Sequence, residues 1–474
     1  MTPGRYDAVV VGAGPNGLAA AVTIARAGRS VLLIEARPTP GGGTRTEELT
    51  EDGFLHDVCS AVHPLAAASP VFRAMGLENH GVEWVRPPVA MAHPLDGGRA
   101  AALAEDLDET AEALGPDAGR YMRIFSPLVE GGLAGIEDVL YTPALPAGAL
   151  HYLRFGLRAL LPARELARLF SADKARALVA GTGAHAVVKL TAPASAAVAA
   201  LLIPLAHLVG WPIVRGGTQR IPGALVALLE QAGGQLLLGR PVRSLGDLPE
   251  ARATLFDVTP RQLLDICGPA LPSPYRRRLS RWRYGPGIFK VDWALSEPVP
   301  WTAEACRRTA TIHAGGSMEE IVAAEDAAAE GKHPERPLVI AVQPTLFDPA
   351  RAPDGGHTLW AYCHVPHGST VDMTGAIEAQ IERFAPGFKD VIRARRTFNA
   401  KDMEAYDANY IGGDISGGIQ DLRQMFTRPV ASLDPYSTPA QGIYICSSSS
   451  PPGGGVHGMC GFRAALSALR GSLA

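Results

Sequence analysis

The sequence lacks the features that mark several common classes of protein. Its six cysteines contain no CxxC pair, so neither a zinc site nor a dithiol redox centre is indicated. Only 19% of the residues are charged and the net charge is −3, which argues against a nucleic-acid-binding surface. No charged region followed by a long apolar one opens the chain, so we expect no signal peptide. These absences predict a cytoplasmic protein with reduced thiols, no bound metal and a small-molecule substrate.

Aromatic residues make up only 6% of the chain, and long hydrophobic runs are few. The run at 192–211 has about the length of a membrane span but contains Pro204 and His207, so we expect a buried helix or pair of helices. The neighbouring segment 151–170 mixes leucine with arginine and predicts an amphipathic helix pair broken near Pro162. The alternative for this segment is a basic, apolar face in peripheral contact with a membrane. The oligomeric state is left open.

Hydrophobic residues form 47% of the 474 residues, which is enough for two closely packed domains. The stretch GAGPNGLAA begins at position 12, directly after an apolar run that predicts a strand over 7–11. A helical composition follows over 16–27, and a second apolar strand is predicted over 30–35. Strand, turn, helix and strand within 30 residues form the unit from which parallel sheets are built.

The glycines of this turn have distinct physical roles. Gly12 permits the tight turn, Gly14 lets the backbone approach a diphosphate, and Gly17 lets the helix pack on the strand. The helix start offers unpaired N–H groups to phosphates, and Glu35 can accept hydrogen bonds from a ribose diol. The unit therefore predicts dinucleotide binding, with these contact residues: Gly12, Gly14, Pro15, Asn16, Gly17, Glu35, Ala36 and Arg37.

The next segment indicates that the dinucleotide is FAD and not NAD. Residues 36–64 carry a glycine run followed by arginine and threonine, and they resemble the corresponding segment of the FAD-dependent amine oxidase and phytoene desaturase superfamily. The resemblance implies that this run lies against the flavin. Glycines permit close passage of the backbone, and Arg45 can offset negative charge on the cofactor. The implied contacts are Gly41, Gly42, Gly43, Thr44, Arg45 and Thr46.

Two distant regions extend the resemblance over nearly the whole chain. Residues 210–245 read as loop, helix, glycine pair and strand, and the resemblance places the backbone of Val242 at the adenine. Residues 442–470 read as strand, glycine-rich turn and helix, as in phytoene desaturases, carotenoid isomerases and phytoene-dehydrogenase-like proteins. The resemblance implies the following contacts: Ser447 and Ser448 at the diphosphate and ribityl chain, and Gly455, Val456 and His457 at the flavin ring.

The expected fold is α/β, with a discontinuous Rossmann-like FAD-binding domain of glutathione-reductase type. We predict that 1–105, 211–270 and 396–474 form this domain. The inserted segments 106–210 and 271–395 are predicted to form a substrate-binding domain with a mixed sheet and helices. Cys446 and Cys460 do not match the superfamily pattern for a flavin thioether, so FAD is expected to be noncovalent.

Three residues are candidates for catalysis. Lys290 lies in an apolar strand that resembles the amine-oxidase stretch whose lysine holds a water at flavin N5; the alternative is an outward residue paired with Asp292. His63 and His457 lie in segments expected near the flavin and can exchange protons near neutral pH, or else are hydrogen-bonded structural histidines. Weaker candidates are His364 and the glycine-rich loop 409–422.

The sequence therefore predicts an FAD-dependent oxidoreductase of the dehydrogenase or desaturase kind. Hydride would pass from a substrate C–H bond to flavin N5, with an apolar or prenyl-type substrate and reoxidation by oxygen or a quinone. Three alternatives stay open at this point: a flavin amine or amino-acid oxidase, a redox-neutral carotenoid-type isomerase, and a non-catalytic FAD-binding protein.

Overall fold

The computed structural model describes residues 5–141 and 156–474. Strands are numbered in chain order: β1 Tyr6–Val11, β2 Val31–Ile34, β3 Thr46–Glu48, β4 Leu55–Asp57, β5 Trp84–Val85, β6 Val89–Leu95, β7 Arg99–Ala104, β8 Ile213–Val214, β9 Gln235–Leu237, β10 Ala251–Phe256, β11 Gly287–Leu295, β12 Thr311–Ala314, β13 Val339–Val342, β14 His357–Val365, β15 Ile392–Phe398 and β16 Ile443–Ile445.

Helices connect and cover these strands. The first, α1, spans Pro15–Arg26, and the others are cited by their bounds: Pro64–Ala68, Pro70–Met75, Leu107–Ala113, Ala118–Glu130, Gly132–Tyr141, Ala163–Arg168, Asp173–Gly183, Ala196–Val209, Arg220–Gln231, Pro260–Cys267, Ser273–Leu279, Glu304–Arg307, Met318–Ala329, Thr374–Phe384, Ala400–Tyr406, Leu422–Thr427 and Met459–Arg470.

A five-stranded parallel sheet in the order β16-β10-β1-β2-β9 forms the first of two main units. One face packs on α1 and on the helices Arg220–Gln231 and Met459–Arg470, and the other on Pro260–Cys267 and Ser273–Leu279. Because both faces are covered, the central strands β1 and β2 carry continuous apolar runs without alternation, AVVV at the end of β1 and VLLI in β2. This is the predicted Rossmann-like arrangement.

A seven-stranded sheet in the order β15-β11-β14-β13-β12-β6-β7 forms the second unit. Its pairs are antiparallel except for β12 with β6, which is parallel, so the sheet is mixed as predicted. The helix Thr374–Phe384 covers one face. The opposite face packs towards a helical layer that includes Asp173–Gly183 and Ala196–Val209.

The hairpin of β6 and β7 corrects one of the predicted boundaries. The predicted boundary at 105 assigns residues 89–104 to the cofactor domain, but they hydrogen-bond into the seven-stranded sheet. The partner of β6 is β12, more than 200 residues later in the chain, and the apolar sequence VAMAHPL suits either sheet. The remaining domain boundaries stay a prediction.

The long apolar run of 192–211 is a buried 14-residue helix, Ala196–Val209, with Pro204 inside it. This confirms the expected buried helix. Among all the described helices, none combines the length and apolarity needed to cross a bilayer. In the segment 151–170, the chain breaks at Pro162 before the helix Ala163–Arg168, as expected, while its first five residues lie outside the described part.

Candidate cofactor and active site

The turn between β1 and α1 has the tight geometry that its glycines predict. Gly12 adopts φ +99°, a left-handed conformation that glycine adopts without strain. A Cβ at Gly17 would lie 1.9 Å from the Gly12 carbonyl oxygen, so only glycine allows α1 to pack this closely on the turn. Leu18 N donates to the Gly14 carbonyl at 2.9 Å and continues the helix.

Glu35 follows β2 and is only 7% exposed. Its Oε2 accepts a hydrogen bond from Ala13 N at 2.7 Å, and its Oε1 accepts one from Arg37 N at 2.9 Å. Nη2 of Arg45 lies 3.5 Å from Oε1 and supplies a counter-charge. The predicted glycine turn, acid and arginine are therefore joined in one hydrogen-bonded group.

A cleft of about 410 Å³ opens beside this group. Eight predicted cofactor residues line it: Gly12, Gly14, Glu35, Ala36, Arg37, Gly42, Arg45 and Val242. They come from three separate parts of the chain, and a Cβ at Gly42 would lie 3.2 Å from Gly14 Cα. The glycine run and the dinucleotide turn thus pass each other at backbone contact, as the glycines predict.

The other predicted cofactor residues surround this lining. Pro15, Asn16 and Gly17 form the start of α1. Gly41, Gly43, Thr44 and Thr46 shape the glycine run: Thr44 donates to the Gly41 carbonyl at 2.7 Å, and Thr46 donates to Asp57 at 2.7 Å. These threonine hydroxyls support the turn, and a direct cofactor role for them stays a prediction.

The C-terminal turn follows β16, in the predicted order of strand, turn and helix. Gly453 and Gly455 adopt φ +119° and +127°. The helix Met459–Arg470 lies against α1, since a Cβ at Gly461 would be 1.7 Å from the Asn16 carbonyl oxygen. The segment with Ser447, Ser448, Gly455 and Val456 is therefore fixed to the dinucleotide unit, and its contacts with a cofactor stay a prediction.

The loop 409–422 connects these two regions. Asn409 lines the cleft, and its side chain donates to the Asp257 carbonyl at 3.0 Å. Farther along, the Gly417 carbonyl accepts a hydrogen bond from Ser449 at 2.7 Å. Asp414 is buried and accepts hydrogen bonds from Gly285 N and Ser416 N at 2.7 and 2.8 Å. The loop is thus a tight turn that spans from the cleft to the C-terminal turn.

Lys290 is fully buried on β11 and forms an ion pair with Asp292. Its Nζ lies 5.8 Å from the ring centre of Trp360 and 5.4 Å from that of Phe398. Burial lowers the pKa of Lys290, opposed by Asp292, whose own pKa is raised by burial to about 6. Pairing with Asp292 matches the alternative considered above, but the side chain points inwards.

A short chain of contacts links Lys290 to the glycine run. The buried thiol of Cys59 interacts electrostatically with Lys290, and its Cβ is 3.8 Å from the position of a Cβ at Gly43. Ser60 N donates to the Gly43 carbonyl at 2.9 Å. The side of β11 that carries Lys290 therefore faces the segment that passes the cofactor cleft.

Both histidine candidates are buried and hydrogen-bonded. His63 Nε2 lies 2.9 Å from Thr218 Oγ1, and His457 Nε2 lies 3.2 Å from the Gly453 carbonyl oxygen. Burial lowers the pKa of each to about 4. At neutral pH both imidazoles are therefore uncharged and can accept a proton only at a cost. His364 instead contacts Glu325 at 2.6 Å, away from the cleft lining.

Known proteins are similar to this chain over nearly its whole length. A model of the NAD(P)-binding Rossmann-like domain matches residues 10–75. Pyridine nucleotide-disulfide oxidoreductase domain-containing protein 2 of Rattus norvegicus is 26% identical, with 97% of this chain and 93% of the relative covered. The lycopene-forming phytoene desaturase of a Paracoccus species is 23% identical, with 97% and 96% covered.

Solved structures share the fold. Putrescine oxidase bound to putrescine is 18% identical and superposes with a TM-score of 0.63 over 98% of this chain and 99% of its own. The Rossmann-like match and the whole-length relatives indicate the class of protein. The chain is an FAD-dependent oxidoreductase that is similar in sequence to a phytoene desaturase and in fold to putrescine oxidase.

Some residues of this oxidoreductase site escaped the sequence analysis. Asp257, Arg240, Gln262, Tyr406 and Asp407 all line the cleft. The ring of Tyr406 makes cation–π contacts with two predicted cofactor residues. The guanidinium carbons of Arg37 and Arg45 lie 4.9 and 5.7 Å from its ring centre. The strand β10 was a visible signal for Asp257, since ligand-binding residues follow the carboxyl ends of parallel strands.

Proposed function

We propose that this oxidoreductase binds FAD noncovalently and dehydrogenates an apolar or prenyl-type small molecule. The observation that supports it best is the cleft that joins the glycine turn, Glu35, Arg45 and Val242. When bound, FAD supplies a hydride acceptor at N5 of its ring. The substrate would give up a hydride from a C–H bond and a proton, and oxygen or a quinone would reoxidise the cofactor.

The residues of the cleft fit a dinucleotide. The start of α1 offers N–H groups to the diphosphate, and Glu35 offers carboxylate oxygens to a ribose diol. Arg45 and Arg37 provide positive charge beside Glu35. In the proposed complex, Val242 contacts the adenine and the C-terminal turn lies at the flavin end. Cys446 and Cys460 are fully buried free thiols whose pKa is raised by burial, which is consistent with noncovalent binding.

The sheet face around Lys290 supports an apolar substrate. Lys290 pairs across the sheet with Tyr362 on β14 and with Phe398 on β15. Trp360 and Ile340 lie on the same side and belong to the same buried cluster as Tyr362 and Phe398. This face packs towards the helical layer and would offer a substrate aromatic and aliphatic contacts beside the Lys290–Asp292 pair.

A substrate screen under anaerobic conditions tests this function. Bound FAD is expected to lose its visible absorbance when mixed with an apolar polyene or prenyl compound, because the cofactor accepts the hydride. Primary amines are the matched comparison, and bleaching by amines alone would favour the amine-oxidase alternative that Lys290 motivates. Photoreducible FAD that no substrate reduces would favour a non-catalytic protein, and activity that requires pre-reduced FAD would favour an isomerase.

The role of Lys290 can be separated from its ion pair. We expect the double variant K290M/D292N, which leaves no buried charge unpaired, to bind FAD but to lose about 10²-fold or more in the rate of flavin reduction, the usual effect of removing a group that moves protons in the reaction. Stopped-flow absorbance measures this rate. D292N alone is the control for the loss of the carboxylate. Reduction of the double variant at the wild-type rate would exclude a catalytic Lys290.

Peripheral membrane contact is a further part of the proposal. Leu157 and Leu160 are 58% and 48% exposed, and Arg164 and Arg168 lie on the next helix. Apolar side chains beside arginines suit a surface of anionic lipid. Co-sedimentation with phosphatidylserine-containing vesicles is expected for the wild type and reduced in L157S/L160S. V371S, which removes an exposed apolar side chain elsewhere, is the control; equal binding by all three would contradict the contact.

A further inference from the structure

The N terminus of α1 is already occupied by a side chain of this protein. Asp257 follows β10, and its Oδ2 accepts a hydrogen bond from Gly17 N at 2.9 Å. Gly17 belongs to the first turn of α1, where backbone N–H groups have no partner within the helix. The carboxylate therefore lies where a helix start ordinarily attracts the phosphate of a bound nucleotide.

This carboxylate is also part of the cleft wall. Asp257 lines the cleft and is only 7% exposed. A Cβ at Gly14 would lie 2.8 Å from Asp257 Oδ2, so the carboxylate and the dinucleotide turn are in direct contact. A diphosphate that binds at this turn therefore lies close to the Asp257 carboxylate. Because Asp257 is buried, water screens the repulsion between these two negative charges only weakly.

Two further carboxylates near Asp257 add to the negative charge around it. Asp407, which follows the helix Ala400–Tyr406, and Glu35, which follows β2, are the carboxylates that act on it. Cys446 after β16 and Cys460 in the helix Met459–Arg470 also interact with it, but as neutral thiols. Burial raises the pKa of Asp257 to about 7; the Gly17 N–H opposes this rise, and Asp407 and Glu35 increase it.

We propose that Asp257 is a proton-linked gate for the cofactor: FAD binds the form of the protein in which this carboxyl group is protonated. The inference rests on the proposed function, because it takes FAD as the ligand. A protonated carboxyl group can donate a hydrogen bond to a phosphate oxygen, whereas an ionised one only accepts and repels the diphosphate at short range. Binding above neutral pH therefore takes up a proton from solution.

The affinity of flavin-free protein for FAD, followed by FAD fluorescence, tests the gate. Because burial raises the pKa of Asp257 to about 7, the dissociation constant of the wild type is expected to be about tenfold higher at about pH 8 than at about pH 6. D257N keeps an oxygen that can accept from Gly17 N but has no charge to titrate. Its dissociation constant is expected to stay close to the low-pH wild-type value throughout.

D265N is the matched control. Asp265 lines the same cleft but is exposed, so its removal deletes one negative charge without touching the turn. We expect D265N to keep the pH dependence of the wild type. Calorimetry in buffers of different ionisation enthalpy is expected to detect uptake of about one proton per FAD by the wild type at the higher pH and none by D257N.

Two results would overturn the gate: a wild-type dissociation constant that does not change with pH, or a D257N variant with an unchanged pH dependence. Failure of the proposed function gives a different result, since neither the wild type nor D257N would then bind FAD at any pH. The gate is thus tested separately from the identity of the cofactor.

Discussion

The variant G17A is expected to purify without bound FAD. A Cβ at position 17 would lie 1.9 Å from the Gly12 carbonyl oxygen and 3.1 Å from Asp257 Cβ. A backbone carbonyl cannot turn aside as the end of a side chain can, so α1 must move away from the turn. Overpacking of this kind costs about 1–3 kcal/mol or more. Because the FAD site needs α1 in close contact with the turn, the same cost is expected to weaken FAD binding by roughly tenfold to a hundredfold. The visible absorbance of the purified protein and titration with FAD measure this loss.

The control substitution is G223A. Gly223 is an exposed residue of the helix Arg220–Gln231, and a Cβ there would meet nothing within 4 Å. Alanine is favoured over glycine inside a helix by about 0.5–1 kcal/mol, so G223A is expected to keep its FAD and to melt at the same or a higher temperature. A G17A protein with a full complement of FAD would contradict the assignment of this turn.

The variant R351M is expected to lose about 3–5 kcal/mol of unfolding free energy. Arg351 is fully buried; its Nη1 lies 2.5 Å from Asp57 Oδ2 and its Nε 2.9 Å from Asp348 Oδ2. Although burial alone would raise the pKa of Asp57, the Arg351 guanidinium and two further hydrogen bonds hold it below the usual value. Methionine would leave the buried Asp57 without its cation and Asp348 with only the half-exposed Arg215, whose Nη1 lies 3.8 Å from its Oδ1. Chemical denaturation measures the loss.

Two comparisons identify the buried charges as the cause. The triple variant R351M/D57N/D348N removes them together and is expected to recover much of the lost stability. R336M is the surface control, since Arg336 is 71% exposed and pairs with Glu320, and its effect is expected to be below about 1 kcal/mol. If R351M were as stable as R336M, the network would carry no stability.

The parts of the site that depend on local chemistry could be predicted from the sequence. Gly12 needs a left-handed conformation and Gly17 needs the absence of a Cβ, and both requirements are visible as glycines at fixed spacing. Glu35 ends an apolar strand, which places it at the carboxyl edge of the sheet. The turns at 210–245 and 442–470 were likewise predicted in the right order because glycine pairs interrupt strand and helix patterns.

The parts that depend on distant partners could not be predicted. Arg351 and Asp57 are 294 residues apart in the sequence, and no local pattern links them. The hairpin of β6 and β7 carries an apolar pattern that suits both sheets, so only its pairing with β12 assigns it. The position of Asp257 after β10 is visible in the sequence, but its contact with Gly17 crosses 240 residues and could not be predicted.

The flavin content and reactivity of the purified protein test the central claim most directly. The protein is expected to be yellow, to release about one FAD per chain into solution when it is denatured, and to be reduced anaerobically by an apolar or prenyl-type substrate. Release of FAD on denaturation would agree with a noncovalent cofactor in the cleft of Glu35 and Arg45. A colourless protein that takes up no FAD when it is added would contradict the account.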